Sequence, residues 1–270
     1  MGIKKICLLG AMSFLAALTL FAQDWPIYKG NIYFTGNNDE LIVPNNRLKW
    51  MFQADDQVFN PIASEGRIYF LDQRGQVYAV DEETGKLVYK VDLQETTARF
   101  KVYSRSAGKV KYPLIQGDTL FLTDAVAVYA LNKKNGQVLW ARTGMEAEAG
   151  AGMYSARGAR PMIDGIYSDP VILGNKLFYG TRKKFMARET RNGHLGWDTD
   201  KIQSYSGFPT FYDDFVITQS MDYAKNRFMA YCLEAATGKE IWSKILPKPF
   251  KIFPAVVYQE KVFVPTGKKI

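Results

Sequence analysis

The fold is decided by the stretch Asp81-Glu82-Glu83-Thr84-Gly85-Lys86-Leu87-Val88-Tyr89, in which a Thr-Gly turn is followed by a short apolar run ending in an aromatic residue. The unit returns three times further along the chain, from Gly136 to Trp140, from Gly193 to Trp197 and from Gly238 to Trp242. The four glycines are 51, 57 and 45 residues apart. A repeat of this length that is filled with short strands is typical of β-propeller blades.

Each copy belongs to a set of four short apolar runs that predict strands. The first run of each set follows a proline, at Pro61, Pro113, Pro170, Pro209 and Pro254. The second run comes directly after a turn, the third contains a small residue such as Ala79 or Cys232, and the fourth carries the aromatic residue. The sequence therefore predicts an all-β propeller of four-stranded antiparallel blades, with about four blades and a partial fifth.

The repeated glycines and aromatic residues have predicted structural roles. Glycine is expected at a positive φ in the last turn of each blade, where a residue with a β-carbon is disfavoured. The aromatic residue four positions later is expected to pack between neighbouring blades. These repeat positions are Gly85, Tyr89, Gly136, Trp140, Gly193, Trp197, Gly238 and Trp242.

The repeating unit resembles the PQQ-like, or quinoprotein-like, β-propeller repeat. The opening stretches Asp24-Trp25-Pro26 and Leu48-Lys49-Trp50 are similar to the first segment of such proteins, and the resemblance covers residues 24–270. It implies one of two roles. One is a periplasmic PQQ-dependent dehydrogenase of alcohols or sugars, and the other is a non-catalytic scaffold similar to BamB-type outer-membrane assembly factors.

The first 22 residues have the pattern of a signal peptide. Lys4 and Lys5 form its charged start, the run from Cys7 to Phe21 is apolar, and Ala22 is a small residue at the expected cleavage site. Residues 23–270 are then a mature propeller domain in the periplasm or cell envelope of a bacterium, with no transmembrane span. The resemblance implies a lipid-bearing cysteine at the signal junction, but Cys7 lies too early and no lipobox is visible.

The sequence stops inside the predicted fifth blade, at Ile270. We therefore expect the propeller to continue in a longer chain. The alternative is a small ring that closes when residues 41–52 pair with the last blade.

Composition excludes several kinds of site. The net charge is +8, or +6 once Lys4 and Lys5 are removed, which favours an acidic partner or an anionic glycan but equally fits an ordinary solvated surface. Nucleic acid is not an expected partner, because no basic helix or base-stacking motif is present. His194 is the only histidine and Cys232 the only cysteine after cleavage, so we expect neither a zinc site nor a disulfide.

Two insertions between blades are the candidate binding segments. Residues 91–112 mix basic and aromatic side chains, and residues 141–168 are rich in glycine. Both connect an outer strand to the next inner strand, so both are expected on one face of the disc, where loops carry function. The candidate partner-binding residues are Arg99, Lys101, Tyr103, Arg105, Arg157 and Arg160. The alternative for the first insertion is a strand extension with a solvated edge.

These observations predict a non-catalytic exported scaffold or binding protein. Its partner would be another cell-envelope protein or an outer-membrane assembly component, with no cofactor, metal or catalytic residue. One alternative is a propeller that binds or senses glycans or envelope ligands. Another is a PQQ-dependent dehydrogenase fragment, for which the resemblance implies calcium and adjacent cysteines that the sequence lacks. The acidic pairs Asp55-Asp56 and Asp213-Asp214 are candidate calcium ligands, but the sequence shows no convergent set of oxygen ligands around them.

Overall fold

The computed structural model describes residue 24 and residues 47–96, 113–123, 127–143, 165–166, 168–181, 183–203, 209–222, 225–247 and 254–266. These residues form four antiparallel sheets of four strands each and one sheet of two strands. The prediction of an all-β fold with four blades and part of a fifth is confirmed. Among the described residues, no helix reaches the length and hydrophobicity that a membrane crossing needs.

The strands follow one another along the chain in the order in which they pair. Blade 1 contains β1 (Val58–Ser64), β2 (Arg67–Asp72), β3 (Gln76–Asp81) and β4 (Leu87–Asp92). Blade 2 contains β5 (Leu114–Gln116), β6 (Thr119–Thr123), β7 (Ala127–Asn132) and β8 (Val138–Thr143). Blade 3 contains β9 (Val171–Leu173), β10 (Lys176–Gly180), β11 (Phe185–Glu189) and β12 (Leu195–Thr199). Blade 4 contains β13 (Thr210–Tyr212), β14 (Phe215–Asp222), β15 (Arg227–Glu234) and β16 (Glu240–Leu246), and the half-blade contains β17 (Val256–Tyr258) and β18 (Lys261–Phe263).

One short helix, α1 (Leu93–Thr96), follows β4 and was not expected from the sequence, which has no helical periodicity there. Its first residue, Leu93, is buried against the core between blades 1 and 2. The backbone N–H of Leu93 donates to the carbonyl of Gly75 at 3.2 Å. The burial of Leu93 therefore accounts for this short helix, since the sequence has no repeating apolar pattern at this point.

The small residue of each third strand lies directly opposite the aromatic residue of the fourth strand. The four pairs are Ala79 with Tyr89, Ala130 with Trp140, Ala187 with Trp197 and Cys232 with Trp242. Directly after each pair the register shifts, as at a β-bulge. A small side chain leaves space on the blade surface for a large ring beside it, which explains why the two residue types recur together.

The core consists of apolar layers between neighbouring blades. Separate clusters of buried side chains fill the spaces between blades 1 and 2, 2 and 3, and 3 and 4. A smaller cluster joins blade 4 to the half-blade through residues such as Ile217 and Ala255. Neighbouring blades thus stabilise one another, as in other repeat proteins.

The opening segment packs on the face of blade 1 that points away from blade 2. Phe52 lies edge-on to Phe70 and Tyr78, with ring centres 5.8 Å and 5.7 Å apart. Within the described part of this segment, residues 47–54 form no strand and pack on blade 1 together with Val80. For residues 47–52, this differs from the alternative in which they would pair with the last blade.

Candidate functional site: blade contacts and the insertion face

Three of the four repeat aromatic rings, those of Tyr89, Trp140 and Trp197, lie against the glycine of the following blade. A β-carbon at Gly136 would come within 2.7 Å of Tyr89 Cδ2, and one at Gly193 within 2.7 Å of Trp140 Cε3. At Gly238 the corresponding distance to a ring carbon of Trp197 is 2.5 Å. These glycines also have positive φ values, between 69° and 75°, as the sequence predicted.

The same rings donate hydrogen bonds across the blade boundary. Trp140 Nε1 donates to the carbonyl of Thr190 at 3.0 Å, and Trp197 Nε1 donates to that of Ala235 at 3.0 Å. The hydroxyl of Tyr89 donates to the carbonyl of Lys133 at 3.1 Å. The accepting residue always stands three positions before the glycine. We call this combination of ring-on-glycine packing and hydrogen bond the blade lock.

Trp50 forms a fourth blade lock that the sequence pattern did not reveal. Its ring lies 2.7 Å from the β-carbon position of Gly85, and its Nε1 donates to the carbonyl of Glu82 at 2.7 Å. No repeat glycine precedes Trp50 at the usual distance. The signal present in the sequence was the local match of Leu48-Lys49-Trp50 to Leu195-Gly196-Trp197.

Trp242, the last repeat aromatic residue, faces the half-blade. It packs in the cluster that contains Cys232, Ala255 and Val262. The eight repeat positions therefore lie in or beside blade boundaries. Their arrangement packs neighbouring blades against one another.

The histidine and the cysteine singled out in the sequence lie in different blades, His194 in blade 3 and Cys232 in blade 4. His194 is exposed in its tight turn, where its backbone N–H donates to the side-chain oxygen Oδ1 of Asn192 at 2.9 Å. Cys232 is a buried free cysteine, and burial raises the pKa of its thiol. The predictions of an exposed histidine and a small buried cysteine are confirmed.

The two ends of each blade are different faces of the molecule. The turn after the first strand and the glycine turn after the third strand meet at one end, where Glu82 N–H donates to Gly66 O and Lys133 N–H to Asp118 O. We call this end the tight-turn face. We call the opposite end, which carries the turns between second and third strands, such as the one containing Gly75, the insertion face.

The described flanks of both insertions lie on the insertion face. The first leaves blade 1 through Leu93, which is bonded to the Gly75 turn. The second leaves blade 2 at Thr143, which pairs with Ala127 at the start of β7. It returns at Ile166, which forms a β-bridge to Thr181, directly after β10. The two segments therefore start from the same side of neighbouring blades.

The candidate partner-binding residues themselves lie outside the described residues. They are Arg99, Lys101, Tyr103, Arg105, Arg157 and Arg160. Their role in binding stays a prediction.

Blade 1 carries a set of polar side chains where the opening segment reaches the insertion face. Tyr78 donates its hydroxyl to Asp72 at 3.0 Å and accepts the N–H of Asp55 at 3.2 Å. The carboxylate of Asp55 pairs with Lys90. These bonds fasten the opening segment to blade 1.

The acidic pairs considered for calcium show no ligand cluster in the described structure. Asp56 pairs with Arg74 at 2.9 Å, and the N–H of Gln57, together with Arg74, lowers the pKa of its carboxyl. Asp213 and Asp214 are exposed at a turn of blade 4. Within the described ranges, no three His, Cys, Asp or Glu side chains stand close enough to hold a metal ion.

A buried arginine distinguishes blade 3 from the other blades. Arg188 is fully buried at the position that Val80, Leu131 and Leu233 hold in the other blades. Its Nε donates to the hydroxyl of Tyr179 at 2.6 Å, and its Nη1 donates to the carbonyl of Gly193 at 2.9 Å. Arg188 thus holds the glycine of a blade lock, a role that its sequence position did not indicate.

A second buried cation lies on the tight-turn face, between blades 1 and 2. The side chain of Lys133 is 3% exposed, and its Nζ lies 2.9 Å from Glu65 Oε1 and 3.2 Å from Ser64 Oγ. Ser64 and Glu65 in turn both donate to the carboxylate of Asp24. We call this group of four residues the Asp24 cradle. The sequence pattern did not reveal it, because Lys133 occupies a turn position where lysines are usually exposed.

Comparison with known proteins agrees with the repeat pattern. The profile of the family described as outer membrane protein assembly factor BamB matches residues 19–243. The resemblance to the PQQ-like propeller repeat is confirmed by this match.

Individual relatives include quinoprotein enzymes. Quinoprotein alcohol dehydrogenase PedH of Pseudomonas putida is 25% identical over 156 residues, which are 56% of this chain and 24% of that protein. A europium-containing methanol dehydrogenase has a TM-score of 0.60 at 13% identity, over 82% of this chain and 48% of that one. The quinohemoprotein alcohol dehydrogenase ADHIIG of Pseudomonas putida HK5 has a TM-score of 0.61 at 14% identity, over 89% of this chain and 44% of that one. The two structural likenesses show the propeller fold, and the chain spans about a quarter of PedH and less than half of each structure.

Proposed function

Because this chain belongs to the family described as outer membrane protein assembly factor BamB, we propose that it is a non-catalytic scaffold of the bacterial cell envelope. In this proposal the chain is exported by residues 1–22 and acts without cofactor or metal. Its insertion face binds another envelope protein, with an outer-membrane assembly component as the first candidate.

The observation that supports this proposal best is that both insertions start on the same face of the molecule. Their flanks at Leu93, Thr143 and Ile166 lie on one face of adjacent blades. Blade locks hold these blades in a fixed relative position, because each joins two blades by a buried ring and a hydrogen bond. Binding segments on a rigid support lose less conformational entropy on association.

The first insertion has the composition of a protein-binding segment. It combines Arg99, Lys101 and Arg105 with the aromatic residue Tyr103. Arginine and tyrosine are enriched at the centres of protein interfaces. The basic charge favours an acidic partner surface.

A pull-down from bacterial envelope extracts tests the proposal. The tagged chain is compared with a variant carrying Arg99→Glu, Lys101→Glu and Arg105→Glu. The matched control carries Lys134→Glu, Arg191→Glu and Lys239→Glu, which make the same charge change on the tight-turn face. We expect an outer-membrane assembly component with the wild type and the control, and its loss with the first variant. Equal recovery with all three chains would contradict binding by the insertion.

A dehydrogenase is the second candidate, and the likeness to PedH favours it. The residues of this chain do not match what such a site needs, because Cys7 and Cys232 are its only cysteines and are not adjacent. The described part also lacks a cluster of metal-binding side chains. Incubation with PQQ and calcium, followed by a dye-linked alcohol oxidation assay, tests this candidate. Turnover above that of a heat-denatured sample would favour the enzyme over the scaffold.

A further inference from the structure

Asp24 is bound to blade 1 through both oxygens of its carboxylate. The hydroxyl of Ser64 donates to Oδ2 at 2.8 Å, and the backbone N–H of Glu65 donates to Oδ1 at 2.8 Å. Ser64 is 2% exposed, so one of the two donors is held rigidly in the protein. Hydrogen bonds to an ionised carboxylate are stronger than those between neutral groups.

Residues from two blades build this binding place. Ser64 and Glu65 belong to the turn after β1, and Lys133 reaches them from the glycine turn of blade 2. The Lys133 ammonium group adds a positive charge behind the two donors. The Asp24 cradle is therefore a site for an anionic side chain, and Asp24 of the same chain occupies it.

Asp24 is the described residue nearest to the predicted signal peptide. The predicted signal peptide ends at Ala22, two residues before Asp24. Two residues span at most about 7 Å of extended chain. The chain therefore extends toward the predicted signal peptide from the tight-turn face, at the boundary of blades 1 and 2, where Asp24 is held.

We propose that the Asp24 cradle orients the propeller while its signal peptide is attached to the membrane. The tight-turn face is then directed toward the lipid surface, and the insertion face, with both insertions, is directed away from it. This proposal rests on export by residues 1–22, which is part of the proposed function. It adds an orientation that leaves the insertion face accessible to a partner before cleavage.

The first experiment tests the anchor itself. A spin label is attached at Gln23→Cys in the full chain, with Cys7→Ser, so that the only other cysteine is the buried Cys232. We expect a restricted label that becomes mobile with Asp24→Asn. The control Asp118→Asn removes an acid of the same face whose ion pair with Lys134 is exposed, and should leave the label restricted. A label equally mobile, or equally restricted, with and without Asp24→Asn would overturn the anchor.

The second experiment tests the orientation. The full chain with Cys7→Ser is bound through its signal peptide to vesicles of phosphatidylethanolamine and phosphatidylglycerol. A membrane-impermeant maleimide then labels a reporter cysteine at Lys134→Cys on the tight-turn face or at Gln73→Cys on the insertion face, both exposed positions. Relative to the detergent-dissolved chain, we expect labelling at position 134 to slow about fivefold, because the membrane surface restricts access, and labelling at 73 to be unchanged.

Adding Asp24→Asn should remove most of the difference between the two reporters. Equal slowing at both positions, or slowing at position 73 alone, would overturn the orientation. Neither experiment requires a binding partner, so a failed pull-down and a failed orientation test are distinguishable.

Discussion

The indole ring of Trp140 lies against Gly193 of the next blade, so that a β-carbon at position 193 would come within 2.7 Å of ring atom Cε3. Contacts below 3.0 Å force one of the two groups to move. The ring is buried and its Nε1 is bonded to Thr190, so it has little freedom to retreat. Gly193 is therefore required for packing between blades as well as for its backbone conformation.

Substitution of this glycine separates the two requirements. We expect Gly193→Ala to lower the free energy of unfolding by about 3 kcal/mol, of which about 1 kcal/mol comes from the positive φ and the rest from overpacking. Gly66→Ala is the matched control, because Gly66 has a φ of 74° and no atom within 4 Å of its β-carbon position. It should lose only about 1 kcal/mol in urea unfolding. Equal losses in the two variants would mean that the ring contact contributes nothing.

The blade lock of Tyr89 predicts a dependence on alkaline pH. Burial raises the pKa of the Tyr89 hydroxyl, because the phenolate would be poorly solvated between blades. A raised folded-state pKa means that the stabilisation is complete below the ordinary tyrosine value of about 10 and is lost as the pH rises above it. The unfolding free energy of the wild type should therefore fall more steeply above about pH 10 than that of Tyr89→Phe.

At neutral pH the same variant should lose about 1 kcal/mol, because the carbonyl of Lys133 loses its donor. Urea unfolding of both chains across the pH range measures the two effects. Parallel pH profiles would show that the pKa of the Tyr89 hydroxyl is the same in the folded and unfolded states.

Arg188 should contribute more to stability than an exposed arginine of the same blade. Arg188→Met keeps the length of the side chain but removes the donors to Tyr179 and Gly193. We expect a loss of about 2 kcal/mol in unfolding free energy, because buried acceptors without a donor are unfavourable. Arg191→Met, at an exposed turn position, should change stability by less than about 0.5 kcal/mol. A small effect at position 188 would argue that the buried charge is dispensable.

The thiol of Cys232 should react only when the protein unfolds. It is 5% exposed, and burial raises its pKa, so both access and thiolate formation are disfavoured. We expect Ellman's reagent to modify Cys232 at least about a hundredfold faster in denaturing urea than in buffer, using the Cys7→Ser chain. Rapid reaction of the folded protein would contradict the packing of Cys232 against the half-blade.

The repeat pattern was sufficient to predict the architecture. The glycines and aromatic residues recur at fixed positions, because every blade boundary has the same geometry and requires the same contact. The small residue of the third strand is explained by the same geometry, since Ala130 lies opposite Trp140 and Cys232 opposite Trp242. Contacts that repeat in every blade produce a repeating sequence pattern, and this pattern made the predictions possible.

The contacts that occur in only one blade produce no repeating sequence pattern. Lys133 has the sequence environment of an exposed turn lysine, yet it is buried where blade 2 meets blade 1 and its Nζ contacts Glu65 and Ser64. Arg188 interrupts an aliphatic position, and its acceptor on Tyr179 comes from the neighbouring strand. Trp50 lacked the preceding glycine that identified the other ring positions. Contacts of this kind depend on which residues of different strands and blades come together in the folded protein, and the spacing of residues along the sequence does not indicate them.

Site-specific photo-crosslinking in intact bacteria tests the proposed binding surface most directly. A photoreactive phenylalanine derivative is placed at Tyr103 of the first insertion or, as control, at Lys239 on the tight-turn face. We expect an adduct with an outer-membrane assembly component from position 103 and none from position 239. Adducts from position 239 alone, or none from position 103 while the protein is present in the envelope, would contradict binding by the insertion face.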